Sequence, residues 1–283
     1  MTATLVTPTV SSGAEALPVR SVSRAKDVAV MVRRNLIRIG REPMQLSDAT
    51  IQPILFTLLF VYVFGSSMVL PDGGSYKQFA IAGLLAMNLT TSSVGTAIGL
   101  TTDLSNGVLD RFRTLPIWHG SVLVGRSIAD LLAALLCSTF VIATGLVIGW
   151  RPDGPLDIVA GVGLALLFTY ALSWANACLG LVSSNPESAQ AVAFIVLFPI
   201  AFISNAFTPT NGMPAWLRTV ADWNPVSAVA SACREIFGDP NPMTVSNAWP
   251  MRHPVAASLL WSIALIAVFA PLAVHLLRRR LTD

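Results

Sequence analysis

The chain has 283 residues, of which 54% are hydrophobic and 12% charged, with a formal net charge of +3 and a mean hydropathy of +0.66. Soluble domains carry about twice that share of charge, which excludes a soluble globular protein. The basic residues flank apolar runs instead of clustering into a patch, so membrane topology explains them and no nucleic-acid partner is implied.

Residues 1–23 mix Thr, Ser, Val, Ala and Pro without a continuous apolar core or an early basic cluster. They read as a disordered leader and not as a signal peptide. From Arg24 to Glu42 the periodicity becomes helical. Val28, Val32, Leu36 and Ile39 share one face, and Arg34, Arg38 and Arg41 lie opposite. That pattern predicts an amphipathic helix in the membrane surface, its arginines meeting anionic headgroups, or else an ordinary solvated helix. Pro43 ends it.

Six charge-free runs follow, at residues 51–70, 78–102, 131–150, 158–185, 188–217 and 254–277. Each reaches the ~20 residues that a spanning helix needs. The third is expected to begin near Ser121, which places Arg126 and Asp130 at i,i+4 spacing near the membrane edge. The fifth does not end in a polar loop. Its span is expected to stop near Phe207, and a stretch over residues 209–238 then breaks into two short helical patterns. The first opens at Pro214 and puts Trp216, Leu217 and Val220 on one face; the second follows Asn224-Pro225 and stops at Gly238. An asparagine cap before a proline at the first helical position marks the start of the second piece. Each piece reaches only ~15–20 Å, so the pair predicts a broken re-entrant hairpin in the last outer loop, covered by the surrounding bundle.

Orientation comes from the basic residues. With both ends cytoplasmic, only Lys77, Arg151, Arg218, Arg234 and Arg252 fall outside, and the rest of the 18 fall inside. The reverse orientation inverts that balance, so cytoplasmic termini are expected. The expected fold is all-α, a multi-pass plasma-membrane protein of six transmembrane helices with a surface helix before the first.

No nucleotide motif and no acidic cluster suited to a metal is present. Cys137, Cys178 and Cys233 lie far apart in apolar stretches and read as packing residues. Catalysis inside the bilayer needs paired acids, a histidine-rich set or an activated nucleophile, so an enzyme is not expected. The second span is unusually polar, and Asn88, Ser92, Gly95 and Gly99 share a face. That face serves either as a helix–helix interface through its GxxxG or as the wall of a substrate pathway. The inner loop from Asp103 to Gly120 contains a short helical candidate, Ser105 to Thr114, in which Asp110, Arg111 and Arg113 flank Leu109 and Phe112. The loop is a solvated connector or a docking element.

Read in order, a Gly107-containing charged loop leads to Pro116, Gly125-Arg126 and Asp130. Then come the run from Phe202 to Pro209, Met213-Pro214-Ala215-Trp216-Leu217, Asn224-Pro225-Val226 and Arg234. This ordered set, beside the six runs, closely resembles the permease subunits of type-2 ABC exporters, especially the daunorubicin-resistance type of actinobacteria, over nearly the whole chain from Arg24 to Arg280. The family pattern often has glutamate where Asp103 stands. The resemblance implies two six-span permeases, identical or related, with two cytoplasmic ABC ATPase subunits made as separate chains. ATP and magnesium are then held by the ATPase and no cofactor by this chain. It also implies that the surface helix and the loop bearing Asp103, Leu109, Asp110, Arg111, Phe112 and Arg113 touch the ATPase. Ser204 and Asn205 would stand near the entrance of a path for hydrophobic small molecules or lipids, capped by a hairpin that includes Pro214, Trp216, Asn224, Pro225 and Arg234. The competing readings are a secondary transporter, which would show internal repeats and an ion-coupling residue, and a non-transporting membrane scaffold or receptor.

Overall fold

A computed structural model describes residues 24–41, 43–68, 70, 74–107, 120–241 and 246–282, and every described element is helical. The surface helix α1 spans Arg24–Arg41, and α2 spans Pro43–Leu59 and continues as a π turn, Phe60–Phe64. Next come α3 (Tyr76–Ser92), α4 (Val94–Ser105), α5 (Gly120–Ile148), α6 (Pro155–Val182) and α7 (Pro186–Phe202). The hairpin helices α8 (Ala215–Trp223) and α9 (Pro225–Phe237) follow, then the one-turn α10 (Trp249–Arg252) and the long α11 (Pro254–Thr282).

Among the described residues, four helices are long and apolar enough to cross a membrane: Tyr76–Ser105, Leu123–Ile148, Pro155–Val182 and Pro254–Arg280. Two shorter apolar helices, Ala49–Phe64 and Pro186–Phe202, accompany them. The 17 residues of α7 extend about 25 Å, less than a ~30 Å hydrocarbon core. The α3–α4 helix is the axis of the bundle. Of its most apolar stretch 78% is buried, against 17% in α11. Helices α5, α6 and α9 surround α3, while α6 and α7 flank α4. Helices α1 and α2 lean on α5, and α11 packs along α6 and α9.

Two apolar cores result. The larger holds Phe79, Leu84, Leu85, Trp150, Phe168 and Phe237 around the first half of α3. The other gathers Leu100, Leu123, Trp174, Leu181 and Leu277, where α4, α6 and α11 end and α5 begins. The outer faces of the bundle are apolar too: Leu55, Leu59, Ile195, Phe198, Leu260 and Ile263 are all exposed. An apolar surface of that extent in water marks aggregation, and in a bilayer it meets lipid. The π turn of α2 is tied to the end of α7 by ring stacking, Phe60 on Phe207 at 4.4 Å and Phe202 beside Phe207 at 5.5 Å.

Three features differ from the sequence expectation. The second apolar run is interrupted at Ser93, where the helix makes a turn before resuming as α4. Ser105 closes α4, and Asn106 and Gly107 form a turn after it; the rest of the candidate helix, residues 108–114, lies outside the described residues. Among the described side chains of α1 the buried ones are Met31 and Asn35, while Leu36 is exposed. The moment of the sequence points α1 at an apolar surface, but the surface on offer is α5, whose Gly125 opens a notch for Met31.

Candidate functional site

Buried polar groups occur along the whole bundle, including Thr90, Ser93, Thr169 and Asn176 midway along its helices, and two sets of them tie distant elements together. The first set holds the break after α7. Pro199 already removes one helical donor within α7, and Pro209 prevents the helix from resuming. The stretch Ile203–Phe207 is irregular and buried from Ser204 on, so its carbonyls need partners other than water. Each described partner comes from elsewhere in the fold. Asn224 Nδ2 donates to Ile200 O at 2.6 Å and Ile203 O at 2.8 Å. Tyr76 OH donates to Phe207 O at 3.0 Å. Arg234 supplies the rest.

Arg234 lies on α9 and is 0% exposed. Its Nε donates to Phe79 O at 3.0 Å, and its terminal nitrogens donate to Asn205 Oδ1 at 3.3 Å, Asn205 O at 2.8 Å and Ala206 O at 3.2 Å. The guanidinium carbon sits 3.8 Å from the centroid of the Phe79 ring, a cation–π contact in a site without water to compete. A forked, delocalised cation that is weakly hydrated suits this position; an ammonium does not reach so many acceptors. Asn205 completes the lock, donating from Nδ2 to Ser231 Oγ at 2.7 Å and from its backbone to Ser227 Oγ at 3.0 Å. Asn224 Oδ1 accepts from Val226 N at 2.8 Å and caps α9 above Pro225. Ser204 Oγ donates to Ala201 O at 2.5 Å and is buried. Asn205 thus faces the hairpin helix α9, while Ser204 bonds within its own turn, to Ala201 O and from Ala206 N. Pro214 stands at the cap position of α8, whose Trp216 is exposed.

The far end of α9 is latched to the turn between α5 and α6. Gly238 takes a left-handed φ of 74°, which lets Asp239 fold back so that Trp150 Nε1 donates to both its carboxyl oxygens at 3.0 Å. The Asp153 backbone donates to Phe237 O at 3.1 Å. Burial pushes the Asp239 carboxyl up to about 7, against the hydrogen bond from Trp150 and the charge of Arg234, with Asp153 adding to the rise. An unfolded aspartate titrates near ~3.9, so the folded chain holds this proton longer. Stability from this group is full below about pH 4 and falls as pH rises towards about 7. In Asp239→Asn the side-chain carbonyl still accepts from Trp150 and nothing titrates. The difference in unfolding temperature between variant and parent is expected to move in the variant's favour from pH 5 to pH 8, followed by intrinsic fluorescence in detergent. A constant difference would remove Asp239 from the pH response.

The second set lies at the opposite ends of the helices. Arg34 on α1 reaches the Asp103 carboxylate at the end of α4 at 2.6 Å, with Asn35 Oδ1 at 3.2 Å. Arg34 thus turns inward to a buried acid and not outward to headgroups, because α1 lies against the bundle with its Met31–Asn35 side. Arg41 is exposed, and the Arg38 side chain lies outside the described residues. On α5, Arg126 Nε donates to Asp130 Oδ2 at 3.0 Å, Thr96 Oγ donates to the same oxygen at 2.6 Å, and Arg126 also donates to Gly95 O at 2.7 Å. A Cβ on Gly99 would overlap the Arg126 guanidinium, whereas nothing lies within 4 Å of one on Gly95. These two glycines seat an arginine and do not bring two helix backbones together. Close backbone approach occurs instead at Gly180, where a Cβ would come 2.6 Å from Ala97 O, beside the bond from Thr101 Oγ to Gly180 O at 2.9 Å. Asn88 Nδ2 donates to Leu84 O at 2.8 Å and Ser92 Oγ to Leu89 O at 2.9 Å, both within α3. Leu109, Asp110, Arg111, Phe112 and Arg113 lie outside the described residues.

Sequence reading missed Tyr76, Phe79, Trp150 and Asp239. None stands in a motif; an aspartate directly after the Gly238 stop was the one local signal.

Comparison with known proteins gives the same picture. The family model for ABC-2 type transporters matches residues 26–237. A daunorubicin resistance ABC transporter permease protein of Streptomyces coeruleorubidus is 35% identical over 248 residues, 87% of this chain and 84% of that protein. A doxorubicin resistance ABC transporter permease protein of Mycobacterium tuberculosis is 26% identical over 200 residues, 67% of this chain and 65% of that protein. A multi-pass, all-helical membrane chain that matches over three-quarters of its length belongs to the ABC-2 type transporter family, as a permease subunit of an ABC exporter.

Proposed function

We propose that this permease moves amphipathic drugs, lipids or glycoconjugates out of the cytoplasm, driven by two ATPase subunits encoded separately and paired with a second permease, identical or related. The names of the relatives, which speak of daunorubicin and doxorubicin resistance, support an amphipathic drug as one substrate class. The short apolar helices Ala49–Phe64 and Pro186–Phe202 complete six spans. Both termini are cytoplasmic, and the α8–α9 hairpin closes the outer end. ATP and magnesium belong to the partner ATPase.

The observation that carries this reading is the bridge from Arg34 to Asp103. It joins the surface helix to the inner end of the most buried helix in the bundle, one turn before the inner loop. A partner that grips the loop and α1 from the cytoplasm thereby moves α4, and through Thr101 and Gly180 it moves α6. Phe112 is the apolar anchor of that grip and Arg113 its charged rim, the mixture found at interface hot spots. Phe112→Ala is expected to weaken ATPase association by about 1–3 kcal/mol, and Phe112→Asp to abolish export while membrane insertion survives. Pull-down of the ATPase with the wild-type and Phe112→Asp permeases from detergent extracts tests this. Equal capture together with equal export would leave the loop a connector and refute the coupling.

A further inference from the structure

Among the described residues, the tryptophans most open to the surroundings lie on the two short outer helices. Trp216 is 70% exposed and Trp223 53% on α8, and Trp249 is 45% exposed on α10. Helix α8 is amphipathic the wrong way round for a helix in water. Its exposed apolar stripe is Trp216, Val220 and Trp223, at i, i+4 and i+7. Its buried positions are Ala221 and the acid Asp222, whose Oδ2 accepts from Ser246 Oγ at 2.7 Å. A soluble domain turns such a stripe towards its core. Here α8 packs on α9, α10 and the short turn Thr210–Gly212, and those contacts leave the stripe bare. Its neighbours fix its level. Asn224, directly after Trp223, donates to Ile200 O and Ile203 O at 2.6 and 2.8 Å, so α8 stops where the apolar helix α7 stops. A single residue, His253, separates α10 from the start of α11. Both tryptophan-bearing helices therefore sit where apolar helices end. The exposed faces that lead away from them, Phe198 and Phe202 on α7 and Leu259, Leu260 and Ile263 on α11, are the apolar surface that meets lipid.

We propose that α8 is an interfacial anchor of the outer leaflet. It lies flat at the boundary of headgroups and acyl chains with Trp216, Val220 and Trp223 turned into lipid, and Trp249 continues the aromatic belt towards α11. Area separates this occupant from a second permease. A buried aromatic side chain contributes about 150–250 Å², so three at roughly half exposure offer about 300–400 Å². A stable protein interface takes ~800 Å² from each partner. The indole, apolar in its body and polar at its N–H, suits a boundary that is dry on one side and wet on the other, and a short helix with one apolar stripe binds there in the plane of the membrane. The outer hairpin then has one leg, α9, locked into protein through Arg234, and the other resting on lipid. The proposal goes beyond the exporter reading and requires only that the chain sit in a bilayer.

The test uses full-length permease in phosphatidylcholine nanodiscs with a nitroxide on Val220→Cys. Arg218→Cys, exposed on the other side of the same helix, is the control. The three native cysteines are buried and stay in place. Power saturation reads collision of the nitroxide with oxygen, which concentrates in lipid, and with a nickel chelate, which stays in water. At residue 220 the oxygen rate is expected to exceed the nickel rate, and at residue 218 the order reverses. Trp216→Glu combined with Trp223→Glu should lift the helix out of lipid and reverse the order at residue 220. Trp216→Tyr combined with Trp223→Phe keeps aromatic rings on the stripe and should leave the order as in the parent. Nickel ahead of oxygen at residue 220 in the parent would make α8 a solvated helix. Low rates for both reagents there would mean that a second permease covers the stripe. An order that survives both glutamates would show that the tryptophans do not hold α8 at the interface. Each of these three results would overturn the proposal, and none of them bears on ATPase capture, which tests the exporter reading.

Discussion

Arg234→Ala is expected to unseat the outer hairpin and destabilise the folded permease by about 4 kcal/mol or more, among the largest effects of any single substitution. The arginine is fully buried and donates to Phe79 O, Asn205 O, Asn205 Oδ1 and Ala206 O. Truncation leaves Asn205 O, Asn205 Oδ1 and Ala206 O without a described donor, at about 1–3 kcal/mol for each group left unsatisfied, and the losses overlap. It also opens a cavity beside Phe79. Arg234→Lys should recover only part of the loss, since an ammonium cannot span the carbonyls on both α3 and the irregular turn. The measurement is thermal unfolding in nanodiscs together with protease access to the stretch after Phe202. A variant that melts within about 1 kcal/mol of the parent and stays protected would show that the hairpin is held by apolar packing alone.

Gly83→Ala is expected to be nearly as damaging, by about 3 kcal/mol or more, although it adds a single methyl group in a helix where alanine is otherwise the better residue. A Cβ on Gly83 would overlap the Ala206 carbonyl and its Cα. That backbone cannot step aside, because Arg234 and Tyr76 hold it from either side. Gly95→Ala is the control, with open space at its Cβ, and should be neutral or stabilising by up to about 1 kcal/mol. Monodispersity on size exclusion and unfolding temperature separate the two. Equal behaviour of both variants would mean that α3 and the turn after α7 are less closely joined than this geometry requires.

Much of the frame was legible from local pattern. Long charge-free segments mark helices wherever they occur, and the observed α5, α6 and α11 cover the runs that composition picks out. The hairpin helix α9 begins at Pro225 after Asn224 and ends before Gly238, where cap, proline and glycine chemistry places its ends. The i,i+4 spacing of Arg126 and Asp130 carries over into a 3.0 Å bond. Reading failed where two distant elements compete for one side chain. Arg34 belongs by periodicity to a solvated face, yet a buried acid on α4 draws it inward. The small residues at Gly95 and Gly99 match a helix-pairing motif, yet the volume above Gly99 is filled by a guanidinium from α5.

The sequence by itself determined the all-helical membrane class, because length, apolarity and the absence of charge are properties of each segment alone; the family was legible as a resemblance carried by an ordered set of short motifs. It also determined where α9 starts and stops, since the Asn224 cap, Pro225 and Gly238 act locally, whereas Pro53, Pro199 and Pro271 lie inside helices that continue past them. Only the tertiary structure decided which polar groups meet. Arg234 finds its acceptors 29 and 155 positions away, and Trp150 donates to an aspartate 89 positions on. Inside a bilayer bundle an unpaired polar group is costly, and which partner it finds depends on the packing of helices that share no sequence neighbourhood.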